Sequence, residues 1–240
     1  MNKPVKAEDA MPASPARPIA VLLVDDHRTV LWGLEKLIDG EMPRMQVVGK
    51  ATNGAAAIEL AAEKRPDVVV LDLDLGGENG LDIIPHLVNG RGARVLVLTG
   101  TRDNKLHEMA ILRGACGLVL KHEPAETLCK AIEKVHQGQL WLDRATTGRI
   151  FIELSKPEPA QERGKPKLGS LTARERDVVR HVVLDPGADN HTIAGRLQIG
   201  EHTLRNHLSR IYDKLGVPNR LELYVFAQRN GLNGSSRPHA

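Results

Sequence analysis

Five short aliphatic runs, IAVLLV (19–24), QVVGKA (46–51), DVVVLD (67–72), RVLVLT (94–99) and GLVLK (117–121), alternate with five segments whose apolar residues recur at helical spacing. Nothing else in the chain restricts its fold as much. The helical stripes are Val30/Leu31/Leu34/Leu37/Ile38, Ala57/Ile58/Ala61/Ala62, Leu81/Ile84/Leu87/Val88, Leu106/Met109/Ala110/Leu112 and Leu128/Ile132/Val135. The strand runs are apolar along their length rather than at every second residue, so both faces of the sheet must be covered. This predicts an α/β domain with a doubly wound, five-stranded parallel sheet. In such sheets ligands gather at the carboxyl ends of the strands.

The pattern occupies residues 19–140, about half of a 240-residue chain, which leaves room for a second, smaller domain. Residues 1–18 are rich in Pro, Ala and scattered charge and read as a flexible tail. Residues 141–167 read as a helix end that becomes a Pro- and charge-rich linker, and 233–240 as a second tail. Between them, residues 168–232 carry helical signals alone, with helices expected at 172–184, 190–197, 201–215 and 219–230. The first is announced by a capping box, Thr172–Ala173–Arg174–Glu175.

The longest apolar run has six residues, far short of the roughly 18 that a membrane span needs. No secretory leader is evident, so the expected location is the cytoplasm, with no membrane partner. Cys116 and Cys129 form no CxxC and have no clustered His, which argues against structural zinc and read as small buried apolar groups. Aromatics at 2% are too few for base-stacking platforms. The net charge of +3 conceals a split. Residues 156–240 hold 14 Lys and Arg against 9 Asp and Glu, while residues 1–155 hold 19 against 21.

Parallel strands bring Asp25 and Asp26, Asp72, Thr99 and Lys121 to one sheet edge, although they are distant in sequence. Clustered carboxylates repel one another, and a hard divalent cation relieves the repulsion, Mg²⁺ taking carboxylates, waters and phosphate oxygens. Lys121 and the Thr99 hydroxyl add donors for phosphoryl oxygens, and a carboxylate can act as the nucleophile to give an aspartyl phosphate. These five residues, in this order, resemble the receiver domain of bacterial two-component response regulators, a flavodoxin-like fold. The resemblance implies that Asp72 accepts a phosphoryl group, that Asp26 binds Mg²⁺ directly with Asp25 helping through water, and that the backbone carbonyl of Asp74 completes the metal site. It assigns Thr99 the switch hydroxyl and Lys121 the phosphate pair, with Gly100 leaving the site open. Two positions depart from the family: the loop Leu75–Gly76–Gly77–Glu78–Asn79–Gly80, which reads as more flexible than the usual Met-Pro, and the switch position, usually aromatic but here Leu118.

In the basic segment, residues 190–197, a tight turn and residues 201–215 form a helix-turn-helix pattern. Leu204, Leu208, Ile211 and Leu215 make its inward stripe, so Arg205, Asn206, Ser209 and Arg210 share the outer face. Arg can pair with guanine and Asn with adenine. His207 lies nearer the stripe edge, as a packing or phosphate-contact residue, and Lys214 and Arg220 are expected at phosphates. LTARERDVV, TIAGRLQIGEHTLRNHLSRIYDKLGV and NRLEL resemble the LuxR-type helix-turn-helix nearly throughout. Gly200 replaces the Ser that usually caps the second helix, and Ser209 stands where a long basic residue can occur.

Together the two resemblances define the NarL/FixJ type of response regulator. They imply a non-enzymatic transcriptional regulator that takes phosphate from a sensor histidine kinase, dimerises when phosphorylated and binds paired half-sites on double-stranded DNA. Two alternatives remain open at this point. Leu71–Asp72–Leu73–Asp74 also resembles the DxD motif of haloacid-dehalogenase-like phosphotransferases, and the helical segment can instead be a receiver-controlled protein-interaction module.

Overall fold

The computed structural model describes residues 17–89, 93–155 and 168–232. Residues 1–16, 156–167 and 233–240, where the sequence predicts tails and a linker, lie outside the described residues. The first unit runs β1 (Ile19–Val24), α1 (Arg28–Asp39), β2 (Met45–Ala51), α2 (Gly54–Lys64), β3 (Val68–Leu71), β4 (Asp74–Leu75), β5 (Glu78–Asn79), α3 (Gly80–Asn89), β6 (Arg94–Thr99), α4 (Asn104–Leu112), β7 (Gly117–Leu120) and α5 (Ala125–His136). Its main sheet has the order β2-β1-β3-β6-β7, and every pairing in it is parallel.

Alternate strand residues go to opposite faces, and both faces are filled. Leu22, Val24, Val69, Leu71, Val95 and Val97 pack with Ala57 of α2, Ile84 and Leu87 of α3 and Ile111 of α4. Val21, Leu23, Val68, Val70, Leu96 and Leu98 pack with Leu31 and Ile38 of α1 and Leu128, Ile132 and Val135 of α5. This two-sided burial is why the runs read as continuous. The edge strand β2 is the exception, its middle residues being only partly buried.

The loop after β3 differs from its expected flexibility. Asp74 pairs with Asn79 and Leu75 with Glu78 in a small antiparallel hairpin. Gly76 and Gly77 form its two-residue turn at φ 69° and 105°, a conformation that suits hairpin turns and that side chains disfavour. The glycines therefore specify a tight turn.

After α5 the chain forms α6 (Arg144–Ser155), started by Asp143, whose carboxylate accepts from Thr146 N at 2.8 Å. Ile150 of α6 is fully buried in the core that holds the strand residues of β1, β3 and β6. The expected helix end is thus a separate, packed helix. A short 3₁₀ turn and helices α7 (Ala173–Leu184), α8 (Asn190–Leu197), α9 (Glu201–Leu215) and α10 (Arg220–Arg229) follow, around a core of their own.

The capping box of α7 is complete: Thr172 Oγ1 accepts from Glu175 N at 3.2 Å, and Glu175 Oε2 accepts from Thr172 N at 2.7 Å. Lys214 Nζ donates to both Glu175 oxygens at 2.7 and 2.8 Å, tying α9 to the start of α7. Led by the Lys214 bond, these contacts hold the Glu175 carboxyl down to about 2, against an ordinary 4.5. A depressed carboxyl stabilises the fold above its unfolded value and loses that contribution as pH falls toward the folded one. Thermal melts of the wild type should therefore fall between about pH 4.5 and 2 more steeply than those of Glu175→Gln. Parallel curves would remove this contribution.

Candidate functional site

Each strand of the crevice is extended one residue past its end by a ladder bond: Asp25 N to Ala51 O (3.2 Å), Asp72 N to Val24 O (2.9 Å) and Lys121 N to Thr99 O (2.8 Å). Parallel pairing thereby sets Asp25, Asp72 and Thr99 at one edge, where they are 1%, 5% and 3% exposed. Lys121 Nζ reaches across to both carboxylates, 2.7 Å from Asp25 Oδ2 and 2.5 Å from Asp72 Oδ2. Burial raises the Asp72 carboxyl above its ordinary value, with the Lys121 hydrogen bond and charge acting against that rise. Burial acts to lower Lys121, but its bonds to Asp25 and Asp72 outweigh it and leave the ammonium raised.

The remaining crevice residues lie close by. Asp72 Oδ1 accepts from Asp74 N at 3.4 Å, and Thr99 Oγ1 accepts from Thr101 N at 3.3 Å. Gly100 is exposed with open space where a side chain would stand. Leu118 is partly buried against the core and pairs with Val97, two register steps from the Thr99–Leu120 pair and on the same face of the sheet. Gly80 N donates to Leu73 O at 2.8 Å, and a Cβ there would lie 2.8 Å from Leu73 Cα, so the loop behind Asp72 closes only around glycine.

The donor set fits a hard cation. Ligand atoms of Asp25, Asp26 and His27 lie within 4.8 Å of one another. Asp26 Oδ1 is buried and accepts no well-aligned hydrogen bond among the described residues, so a cation or water there would be stabilising alongside its His27 contact. His27 Nδ1 stands 2.7 Å from that oxygen, a neighbour that sequence reasoning missed. Its adjacency to the acidic pair was the available signal.

The predicted DNA face is only partly folded inward. Arg205 of α9 sits 3.1 Å (Nη1) from His136 Nε2 and 3.8 Å from Asp67 Oδ1, both on the α/β unit. Ser209, partly buried, lines the same seam, and Asn206 stands at its rim, exposed. Further bonds close it: Asn190 N to Gln137 O (2.8 Å), Gln139 Nε2 to Gly187 O (3.2 Å) and Asn219 Nδ2 to Ile111 O (2.9 Å). His207 is half-buried and Arg210 is exposed. Two expectations are not met here. Lys214 is committed to Glu175, and Arg220 is 7% exposed, donating to Gly138 O at 3.3 Å and Asp185 O at 3.4 Å. Neither is presented to a phosphate backbone. Their partners come from distant parts of the chain, which helix periodicity cannot register.

Comparison with known proteins accords with both halves. The family described as "Response regulator receiver domain" matches residues 21–133, and "Bacterial regulatory proteins, luxR family" matches residues 169–227. The chain belongs to the two-component transcriptional response regulators, with a receiver and a LuxR-type DNA-binding domain. Among its relatives is the nitrate/nitrite response regulator protein NarL of Escherichia coli K12, 33% identical over 216 residues, covering 90% of this chain and 97% of NarL. The DNA-binding transcriptional activator DevR/DosR of Mycobacterium tuberculosis is 35% identical over 210 residues, covering 87% and 94%. A solved LuxR-family response regulator from Aurantimonas sp. superposes with a TM-score of 0.51 at 31% identity, covering 58% of this chain and 99% of that one. This family is one of transcription regulators and does not favour the phosphotransferase or interaction-module alternatives. Among the described residues no helix is long and apolar enough to cross a membrane.

The seam has a pH dependence of definite sign. Burial first, and then the Arg205 charge, push His136 down to about 4, with Asp67 opposing and Arg94 and Arg17 adding to the fall. Arg205 donates to the neutral imidazole. Opening the seam returns His136 toward 6.5, so the open form gains a proton that the closed form refuses. The closed form is fully favoured above about pH 6.5 and weakens as pH falls toward 4, by at most about 1.4 kcal/mol per pH unit. Small-angle scattering should show the wild type expanding across this window, while His136→Gln should respond less. Equal responses would exclude His136 as the titrating group.

Proposed function

We propose that Asp72 is the phosphoacceptor through which a sensor histidine kinase controls DNA binding by α9. Support comes from one observation above all: the Lys121 ammonium spans the buried carboxylates of Asp25 and Asp72 at the edge where the strands end. A carboxylate oxygen of Asp72 attacks the phosphorus of the phosphohistidine, the P–N bond breaks, and an aspartyl phosphate remains. Asp26, Asp72 and the Asp74 carbonyl, with Asp25 assisting, would hold Mg²⁺, which would supply neutralisation of charge on the carboxylates and phosphoryl oxygens. Lys121 follows the new phosphoryl oxygens, and the Thr99 hydroxyl turns toward them, with Gly100 leaving them room.

The output is the exposure of α9. Arg205, Asn206 and Ser209 meet base edges, and His207 and Arg210 lie beside the backbone, once the receiver releases Arg205 and Ser209. A physical route joins crevice and seam: Thr101 donates to Thr99 Oγ1, α4 begins just beyond it, and Ile111 near its end accepts from Asn219 of the helical unit. Leu118 supplies aliphatic packing where an aromatic would be expected, so α4 carries the signal without an aromatic rotamer. The freed protein forms a homodimer on paired half-sites, in the cytoplasm.

Selection of DNA fragments with a small phosphodonor and Mg²⁺ should recover a repeated half-site with the wild type and none with Asp72→Ala. Arg205→Ala should weaken specific binding by about 1–3 kcal/mol, roughly fivefold to 150-fold. Enrichment that is the same with and without the donor would leave a constitutive binder and remove Asp72 from the mechanism.

A further inference from the structure

A cavity of about 860 Å³ separates the receiver from the helical domain, within the size range of small-molecule sites. Six arginines line it against two aspartates. Arg113 is paired with Asp82 at 2.5 Å, and Asp67 is taken by Arg17 at 2.8 Å and by the Ala20 amide at 3.0 Å, which leaves Arg205 only long contacts, 3.8 Å to Asp67 and 3.7 Å to Glu201. Arg94 makes no ion pair or hydrogen bond with a described residue through its side chain, and Arg220 finds only backbone carbonyls. Burial disfavours the charged form of Arg94 and of Arg220, and the two, with Arg205, lie near enough to oppose one another's charge. Asp67 acts in favour of the Arg94 charge, and Asp185 and Asp189 in favour of the Arg220 charge, without offsetting burial; guanidinium does not escape by losing its proton, so an anion seated between them would be stabilising.

Unsatisfied polar groups point to the same space. Asn190 is 0% exposed, yet among the described residues neither its Oδ1 nor its Nδ2 has a hydrogen-bond partner, and the Nε atoms of Arg205 and Arg220 are buried and equally unpaired. All three residues line the cavity. Apolar side chains such as Val135, Leu140 and Leu208 form other parts of its wall, suited to the organic portion of a ligand.

We propose that this cavity binds a small phosphate-bearing polyanion, gripped by Arg94 from the receiver and by Arg205, Arg220 and Asn190 from the helical domain. Phosphate oxygens match the planar donor forks of arginine. A ligand held by residues of both domains binds the closed form alone and stabilises it by mass action. It therefore opposes exposure of α9; this consequence rests on the proposed DNA reading, whereas the site itself does not.

Calorimetric titration of the full chain with inorganic diphosphate, in Mg²⁺-free buffer at constant ionic strength, tests the site without DNA or a phosphodonor. A saturable isotherm should appear, with the Asn190 side-chain amide resonances shifting in step. Arg94→Gln and Arg220→Gln should each weaken binding by about tenfold or more, while Arg180→Gln, an exposed residue paired with Asp177, should not. No saturable binding, or binding that Arg94→Gln leaves intact, would overturn the proposal. Should Arg220→Gln not fold, the wild type still decides: Asn190 resonances unmoved during saturable binding would place the anion elsewhere.

Discussion

Two carboxylates, almost wholly buried at one sheet edge, share a single ammonium, and the receiver's chemistry depends on that balance. Removing carboxylates from water costs several kcal/mol each unless they are paired. Parallel pairing forces Asp25 and Asp72 into proximity, so Lys121, delivered by β7, is the condition on which the edge closes. Any group that changes the charge of Asp72 competes for Lys121. Under the proposed role of Asp72, a phosphoryl group there would disturb this balance before any larger motion is invoked.

The opposed charges of the two halves acquire a structural meaning in the seam. Arg205 of the basic half is directed at Asp67 and His136 of the receiver, a contact that occupies the group expected to face DNA. Direct contacts hold the domains together: the Asn190 amide on Gln137 O, the Asn219 side chain on Ile111 O, the Gln139 side chain on Gly187 O, and the close fit of Gly138, whose φ of 84° and proximity to Asn190 exclude a side chain. Most of these contacts are polar, as at interfaces between domains that move relative to one another. Beside it lie Arg94 and Arg220, which make no ion pair with a carboxylate among the described residues, the observation behind the proposed anion site.

Much of this was legible in the residues. Continuous aliphatic strands and helical stripes report local burial, so the sheet, its five strand ends and the helices of the second domain lie within a residue or two of their predicted places. The Thr172–Glu175 capping box is equally local. What escaped was non-local or conformational. The Gly76–Gly77 turn looked like slack because glycine permits both freedom and a tight positive-φ turn. α6 has a weak stripe, and its buried Ile150 depends on packing with α4 and α10. Lys214 and Arg220 look like phosphate contacts on a helix surface, but Glu175 and the carbonyls of Gly138 and Asp185 decide their place.

The central claim is that phosphorylation of Asp72 releases α9 from the receiver, and one amide reports it directly. Asn190 opens α8, so its N–H has no acceptor within the helix, and its sole bond is to Gln137 O across the seam at 2.8 Å. Hydrogen exchange at that amide should be slow in the unphosphorylated protein and accelerate when a phosphodonor and Mg²⁺ are added, with no change in Asp72→Ala. Protection that persists in the phosphorylated wild type would contradict the account.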